Sequence, residues 1–99
     1  MSKINKILII KISSLGDIVH AFPAVDLIAK KCGKPEIDWL VHPAFSEILR
    51  FNRNVSGFIP FPRKELSSPF SFFPAFKKLI CEIRKKKYDA VLDLQGLLR

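Results

Sequence analysis

At 99 residues the chain is long enough for at most one small domain, and its hydrophobic fraction of 48% argues against intrinsic disorder. A formal charge of +8 indicates an acidic partner, which charge alone leaves open among nucleic acid, an anionic membrane surface, and a phosphorylated or carboxylated substrate. The apolar runs are too short to cross a bilayer and there is no signal-peptide pattern, so we expect a cytoplasmic protein without a transmembrane segment. The two cysteines lack metal-ligand spacing, which predicts reduced thiols and no metal site.

Four predicted strands alternate with three predicted helices. The strands are Lys6–Ile12, Glu36–His42, Val55–Phe61 and Tyr88–Leu94, and the helices are Ile18–Lys31, Pro43–Phe51 and Phe72–Lys87. The near-continuous apolar run of the first strand is typical of a strand that is covered on both faces. The alternating order therefore predicts an α/β fold, a Rossmann-like parallel sheet with flanking helices.

Apolar spacing in each predicted helix indicates one buried face. The inward positions are Ile18, Phe22, Val25 and Ile28 in the first helix, Phe45, Ile48 and Leu49 in the second, and Phe76, Leu79, Ile80 and Ile83 in the third. A helix tolerates proline in its first turn, so Pro23 predicts that the regular part of the first helix begins nearer Ala21 than Asp17.

Polar residues follow the predicted strands directly, at Asp17, His42, Pro62–Lys64 and Gln95. Parallel sheets bind ligands at the carboxyl ends of their strands, so we expect these residues to face one crevice. The helix that follows the first strand exposes the backbone N–H groups of its first turn, where anions are favoured. That turn matches neither GxxxxGK[ST] nor GxGxxG, and it therefore predicts no classical nucleotide site.

Within that turn, Asp17 has two interpretations. It is either a helix-capping carboxylate, which is the commoner role, or a general base at the crevice. His20 lies three residues further on, and a lone histidine is usually structural.

Two further segments combine basic residues with other features. The irregular stretch Arg63–Pro74 combines basic and phenylalanine side chains, which either contact a lipid-linked substrate or membrane surface or simply cover the sheet. The basic cluster Arg84–Lys87 is interpreted as a solvated end of the third helix that complements the helix dipole.

The segment Lys11–His20, followed by Phe22-Pro-Ala24, resembles the opening motif of the lipopolysaccharide heptosyltransferases (glycosyltransferase family 9), and is most similar to the heptosyltransferase I branch. Segments Ile37–Val41, Val55–Pro60 and Tyr88–Leu97 resemble the family's second, third and fourth strands in order and spacing. The resemblance implies a GT-B architecture of two Rossmann-like domains. Residues 1–99 would form part of the N-terminal, acceptor-side domain, with the C-terminal donor domain absent.

What the resemblance implies is inverting transfer of heptose from ADP-L-glycero-D-manno-heptose to the Kdo-lipid A inner core. No metal or other cofactor is expected, and the absent domain would bind the ADP-heptose donor. Asp17 matches the proposed general base. The substrate-binding residues would be Ser13, Ser14, Gly16, His20, Arg63, Lys64, Gln95 and Gly96.

The same resemblance implies a cytoplasmic enzyme, peripheral to the inner membrane of a Gram-negative bacterium, whose partners are Kdo-lipid A and an anionic membrane surface but not nucleic acid. Without donor-side groups that stabilise the leaving diphosphate, residues 1–99 alone are expected to be inactive, and an uncovered fourth strand would make them marginally stable. The first alternative is a non-catalytic remnant, or a module that binds the acceptor or a membrane surface. The second, less favoured alternative is a small basic α/β domain that binds nucleic acid.

Overall fold

The computed structural model describes residues 4–61 and 69–95. In chain order the elements are strand β1 (Lys6–Ile10), helix α1 (Leu15–Lys31), strand β2 (Glu36–Val41), a 3₁₀ helix (Pro43–Phe51), strand β3 (Gly57–Pro60), helix α2 (Pro69–Lys85) and strand β4 (Ala90–Asp93). The strands pair in parallel in the order β3-β2-β1-β4. The predicted α/β class and its parallel sheet with flanking helices are thus confirmed. No described helix is long and apolar enough to cross a membrane.

Side-chain alternation along β1 divides the core into two layers. Ile7 and Ile9 lie in the layer that contains Trp39 and is covered by α1 and the 3₁₀ helix. Leu8 lies in the other layer, which Leu79 of α2 covers. Because β1 is buried on both faces, it needs the continuous apolar run that its sequence shows.

Helix α1 begins at Leu15, so the expectation of a regular helix starting nearer Ala21 is wrong. The helix instead continues through Pro23, which lacks the N–H that would bond to the carbonyl of Val19. Both Pro23 and Val19 are exposed, so water can satisfy the freed carbonyl. Proline at this position therefore does not prevent the helix from beginning at Leu15.

The other two helices differ from the predictions in smaller ways. Pro43–Phe51 is a 3₁₀ helix, with Leu49 buried as predicted. In α2, Leu79 is buried but Phe76 is 46% exposed, so Phe76 is wrong as an inward position. Periodicity places Phe76 and Leu79 on one face of α2, but it does not tell how much of that face the sheet covers, and of these two only Leu79 lies in the core.

Candidate active site at the carboxyl end of the sheet

The sheet reverses its direction of growth at β1. Strands β2 and β3 add on one side of β1, and β4 adds on the other. In open α/β sheets, ligands bind in the crevice outside the carboxyl ends of the strands at such a switch point. The segments that leave β1 and β4 there are residues 11–14 and 94–95, so the fold itself selects the region that the sequence patterns indicate.

Asp17 lies in the first turn of α1 and is partly exposed. Ser14 is the N-cap residue: its carbonyl accepts the N–H of Ile18 at 2.9 Å, and its hydroxyl donates to Oδ2 of Asp17 at 3.2 Å. No side chain caps the helix, so the alternative interpretation of Asp17 as a capping residue is wrong. Its Oδ1 accepts no hydrogen bond from the described residues, which leaves this carboxylate able to accept a proton from a ligand.

Gln95, which follows β4, is bonded to the segment that follows β1. Its Oε1 accepts the backbone N–H of Ile12 at 2.8 Å, and its own N–H donates to Oδ1 of Asp93 at 2.9 Å. A backbone N–H can only donate, so Oε1 is the atom that faces Ile12. The side-chain oxygen of Gln95 thus holds the β1 segment in place, while its amide nitrogen has no partner among the described residues.

Trp39 is a second support for this segment, and one that sequence reasoning missed. Its buried Nε1 donates to the carbonyl oxygen of Lys11 at 2.9 Å, and its ring packs edge-on against Phe22 with centroids 5.8 Å apart. The N–H of His42 adds a bond to the carbonyl of Ile12 at 2.9 Å. The only sequence signal was that a buried indole N–H needs an acceptor.

Lys11 is the other site residue that the sequence did not single out. It is the last residue before the turn and is only 2% exposed. Its ammonium makes no ion pair or hydrogen bond with the described residues. A lysine directly after a run of buried apolar residues was the available signal, since a charge at such a position is unusual.

The remaining predicted residues are distributed unevenly. Ser13 is half-buried beside the turn, and Gly16 is exposed, with open space where a Cβ would stand. His20 is exposed on α1. His42 follows β2, but its Nδ1 accepts the N–H of Ala44 at 3.0 Å, so it caps the 3₁₀ helix. Arg63, Lys64 and Gly96, together with the segment Pro62–Lys64, lie outside the described residues.

The basic cluster of residues 84–87 lies at the opposite end of the sheet, because α2 ends where β4 is about to begin. The carbonyl of Lys86 accepts a bond from Nζ of Lys6 at 2.9 Å, and Nζ of Lys86 lies 3.9 Å from Oδ2 of Asp38. Much of the chain's positive charge is therefore remote from the switch point. In residues 4–61 and 69–95, no three His, Cys, Asp or Glu side chains are grouped as metal ligands would be.

Comparison with curated proteins gives consistent relatives over nearly the whole chain. Lipopolysaccharide heptosyltransferase 1 of Salmonella typhimurium is 30% identical over 100 residues, which cover 95% of this chain and 31% of the relative. The Pseudomonas aeruginosa protein of the same name is 34% identical, covering 95% of this chain and 27% of the relative. No family model matches the chain.

Solved structures agree with this result. Escherichia coli heptosyltransferase WaaC with ADP-2-deoxy-2-fluoro heptose matches with a TM-score of 0.75 and 29% identity, over 92% of this chain and 30% of that one. A glycosyl transferase family 9 structure from Veillonella parvula, 20% identical, has the same fold with a TM-score of 0.75, over 90% of this chain and 25% of that one. The chain thus spans less than a third of the proteins it matches, at 31% or below. Over that stretch the chain is similar to lipopolysaccharide heptosyltransferase 1 in sequence and to heptosyltransferase WaaC in fold.

Proposed function

We propose that this chain is the acceptor-side part of an inverting heptosyltransferase that transfers heptose from ADP-heptose to Kdo-lipid A, with Asp17 as the general base. One observation carries the proposal: a carboxylate with a free oxygen stands at the switch point of the sheet, on the turn whose sequence matches the heptosyltransferases. The names of the relatives supply the reaction class and its place in lipopolysaccharide core biosynthesis.

The proposed reaction is a single displacement at the anomeric carbon of heptose. The acceptor hydroxyl oxygen forms the new bond to that carbon while the bond to the diphosphate oxygen breaks on the opposite face, which inverts the centre. The hydroxyl proton passes to Oδ1 of Asp17, while the bond from the Ser14 hydroxyl to Oδ2 fixes the carboxylate plane. The leaving ADP carries away the electron pair and needs stabilisation from groups that the described residues do not include.

The partners follow from the same proposal. Kdo-lipid A is an acidic glycolipid, and a chain of net charge +8 is attracted both to it and to an anionic bilayer. The proposed location is therefore the cytoplasmic face of the inner membrane, with peripheral attachment. Residues 1–99 alone supply the base but not the donor-side groups, so we expect no transfer from them in isolation.

The test uses the protein expressed from its complete gene, mixed with ADP-heptose and Kdo-lipid A, with mass spectrometry of the lipid as the readout. Product heavier by one heptose is expected, and Asp17→Asn should lower the rate about 10²- to 10⁴-fold because the base is removed. Asp26→Asn is the matched control, since Asp26 lies on the same helix and accepts one side-chain bond, from Asn54 at 2.8 Å. It should leave the rate unchanged. Absence of product from the unmodified protein, or equal rates with Asp17→Asn, would contradict the proposal.

A further inference from the structure

We infer that Lys11 is an anion-binding residue of the acceptor site, whose ammonium group pairs with an acid group of the acceptor sugar, either a carboxylate or a phosphate. This inference rests on the proposed function and deepens it. Its starting point is the burial of Lys11, which is 2% exposed yet has no counter-ion among the described residues.

Other lysines of the chain show how unusual this is. Lys6 has a side chain that is 33% exposed and pairs with Glu36 at 3.6 Å, and Lys86, 40% exposed, pairs with Asp38 at 3.9 Å. These two partly solvated ammonium groups have partners, whereas the much less solvated Lys11 has none among the described residues. The residue is 2% exposed, and its ammonium keeps only a small contact with solvent. Because an ammonium ion that loses most of its water without gaining a hydrogen bond or opposite charge is unfavourable, we expect Lys11 to lower the stability of the unliganded fold.

The position of Lys11 adds a second unfavourable effect. Continued alternation along β1 puts Lys11 on the side of Ile7 and Ile9, the layer that α1 covers. The first turn of α1 starts four residues later and carries the positive end of the helix dipole. The carboxylate of Asp17 already complements the helix terminus, but it makes no ion pair with Lys11, so an anion in the crevice would offset the unpaired ammonium.

The backbone of Lys11 is fixed even though its ammonium group is free. Its carbonyl accepts the indole N–H of Trp39 at 2.9 Å, and its own N–H donates to the carbonyl of Leu40 at 3.4 Å. These bonds fix where the side chain begins, and the packing around a residue that is 2% exposed limits the conformations that the side chain can adopt. The ammonium should therefore lose less entropy on binding an acidic ligand than that of an exposed lysine would.

The variant Lys11→Met distinguishes a structural lysine from a binding lysine, because the two roles predict opposite changes in the melting temperature of the unliganded protein. Methionine keeps the unbranched shape and removes the charge. If Lys11 serves the ligand, Lys11→Met raises the melting temperature of the unliganded protein by a few degrees and weakens binding of the acceptor.

The experiment uses the protein from its complete gene, with Lys11→Met, Lys11→Arg and the control Lys6→Met. Melting temperature is measured first, and then the affinities for Kdo monosaccharide, inorganic phosphate and Kdo-lipid A. Lys11→Met should bind the recognised anion at least about tenfold more weakly, Lys11→Arg should retain most of the affinity, and Lys6→Met should not change it. If only the affinity for Kdo monosaccharide falls, Lys11 pairs with the carboxylate of the acceptor sugar. If only the affinity for inorganic phosphate falls, Lys11 pairs with a phosphate group.

Three results would overturn the inference. Lys11→Met could lower the melting temperature or fail to fold, which would show a structural role. It could also bind every acidic probe as tightly as the unmodified protein does. In either case heptose transfer by the unmodified protein would leave the proposed function standing. If the unmodified protein neither transfers heptose nor binds Kdo-lipid A, the proposed function fails, and the inference fails with it.

Discussion

The two ends of the sheet treat their polar groups in opposite ways. At the amino end, the Tyr88 hydroxyl donates to Oδ2 of Asp38 at 2.6 Å, and Lys86 approaches the same oxygen. There Lys6 donates to the carbonyl of Lys86, and Asp89 accepts the backbone N–H groups of Asn5 and Lys6 at 2.8 and 2.9 Å. Every one of these side chains is satisfied by the chain itself.

At the carboxyl end, hydrogen bonds also hold the backbone in place, but two charged side chains lack partners. Gln95 and Trp39 fix the segment of residues 11–12, whereas Oδ1 of Asp17 and the ammonium of Lys11 have no partner among residues 4–61 and 69–95. Outside this network, the buried Nδ2 of Asn52, in the loop before β3, has no partner among the described residues, but it carries no charge. The contrast in charged groups between the two ends supports the proposal that the carboxyl end binds the ligand. We therefore propose that the amino end mainly stabilises the fold and that the carboxyl end binds the acceptor.

Loss of the Tyr88 hydroxyl should give the largest change in stability. Tyr88→Phe removes a hydrogen bond to a buried carboxylate, so the free energy of unfolding should fall by about 2 kcal/mol, while acceptor affinity of the folded protein stays unchanged. Chemical denaturation and an acceptor titration measure the two quantities. A loss of affinity in the folded variant would show that the two ends are not separate in function.

The same tyrosine makes stability sensitive to alkaline pH. Burial, and then the hydrogen bond to Asp38, raise the pKa of Tyr88 well above its ordinary 10.0. Because the unfolded chain loses this proton first, the contribution of Tyr88 is intact below pH 10.0 and decreases as pH rises beyond it. Tyr88→Phe should therefore show a shallower loss of stability above that pH, and an identical slope in both proteins would contradict this assignment.

Loss of the Gln95 side chain should lower the free energy of unfolding less than loss of the Tyr88 hydroxyl does, but it should lower the activity more. Gln95→Leu leaves the N–H of Ile12 without its acceptor and should cost about 1–2 kcal/mol of stability and lower the turnover number. Gln95→Glu keeps an oxygen at that position and is the matched control, so it should retain more of both. If the two variants lose turnover equally with unchanged stability, the amide nitrogen contacts substrate and the oxygen is not the important atom.

The smallest effect should come from Asp89, which is fully exposed. The backbone N–H groups of Asn5 and Lys6 hold the pKa of Asp89 below its ordinary 3.8. Its contribution to stability is therefore present above pH 3.8 and is lost as pH falls toward the lower pKa of the folded state. In Asp89→Asn the free energy of unfolding should fall less steeply as pH decreases below 3.8, and acceptor binding should not change. An unchanged dependence on pH would show that the bonds of Asp89 to Asn5 and Lys6 contribute nothing to stability.

The sequence predicts more of the fold than of the candidate site. The apolar run at Ile7–Ile10 predicts a doubly covered strand because the requirement is local to that strand. Phe76 is wrongly predicted as inward because periodicity shows which residues share a helix face, and not how much of that face the sheet covers. The bond from Ile12 to Gln95 joins residues 83 positions apart, so only the folded chain reveals that Gln95 supports the site. Asp17 as general base stays a prediction.

The most direct test of the division between the two ends is hydrogen–deuterium exchange of the protein from its complete gene, with and without Kdo-lipid A. We expect slower exchange in peptides that cover residues 11–20 and 93–95, and no change in those that cover residues 84–90. Protection that appears instead at residues 84–90, or that is absent from residues 11–20, would contradict the assignment of the carboxyl end as the acceptor site.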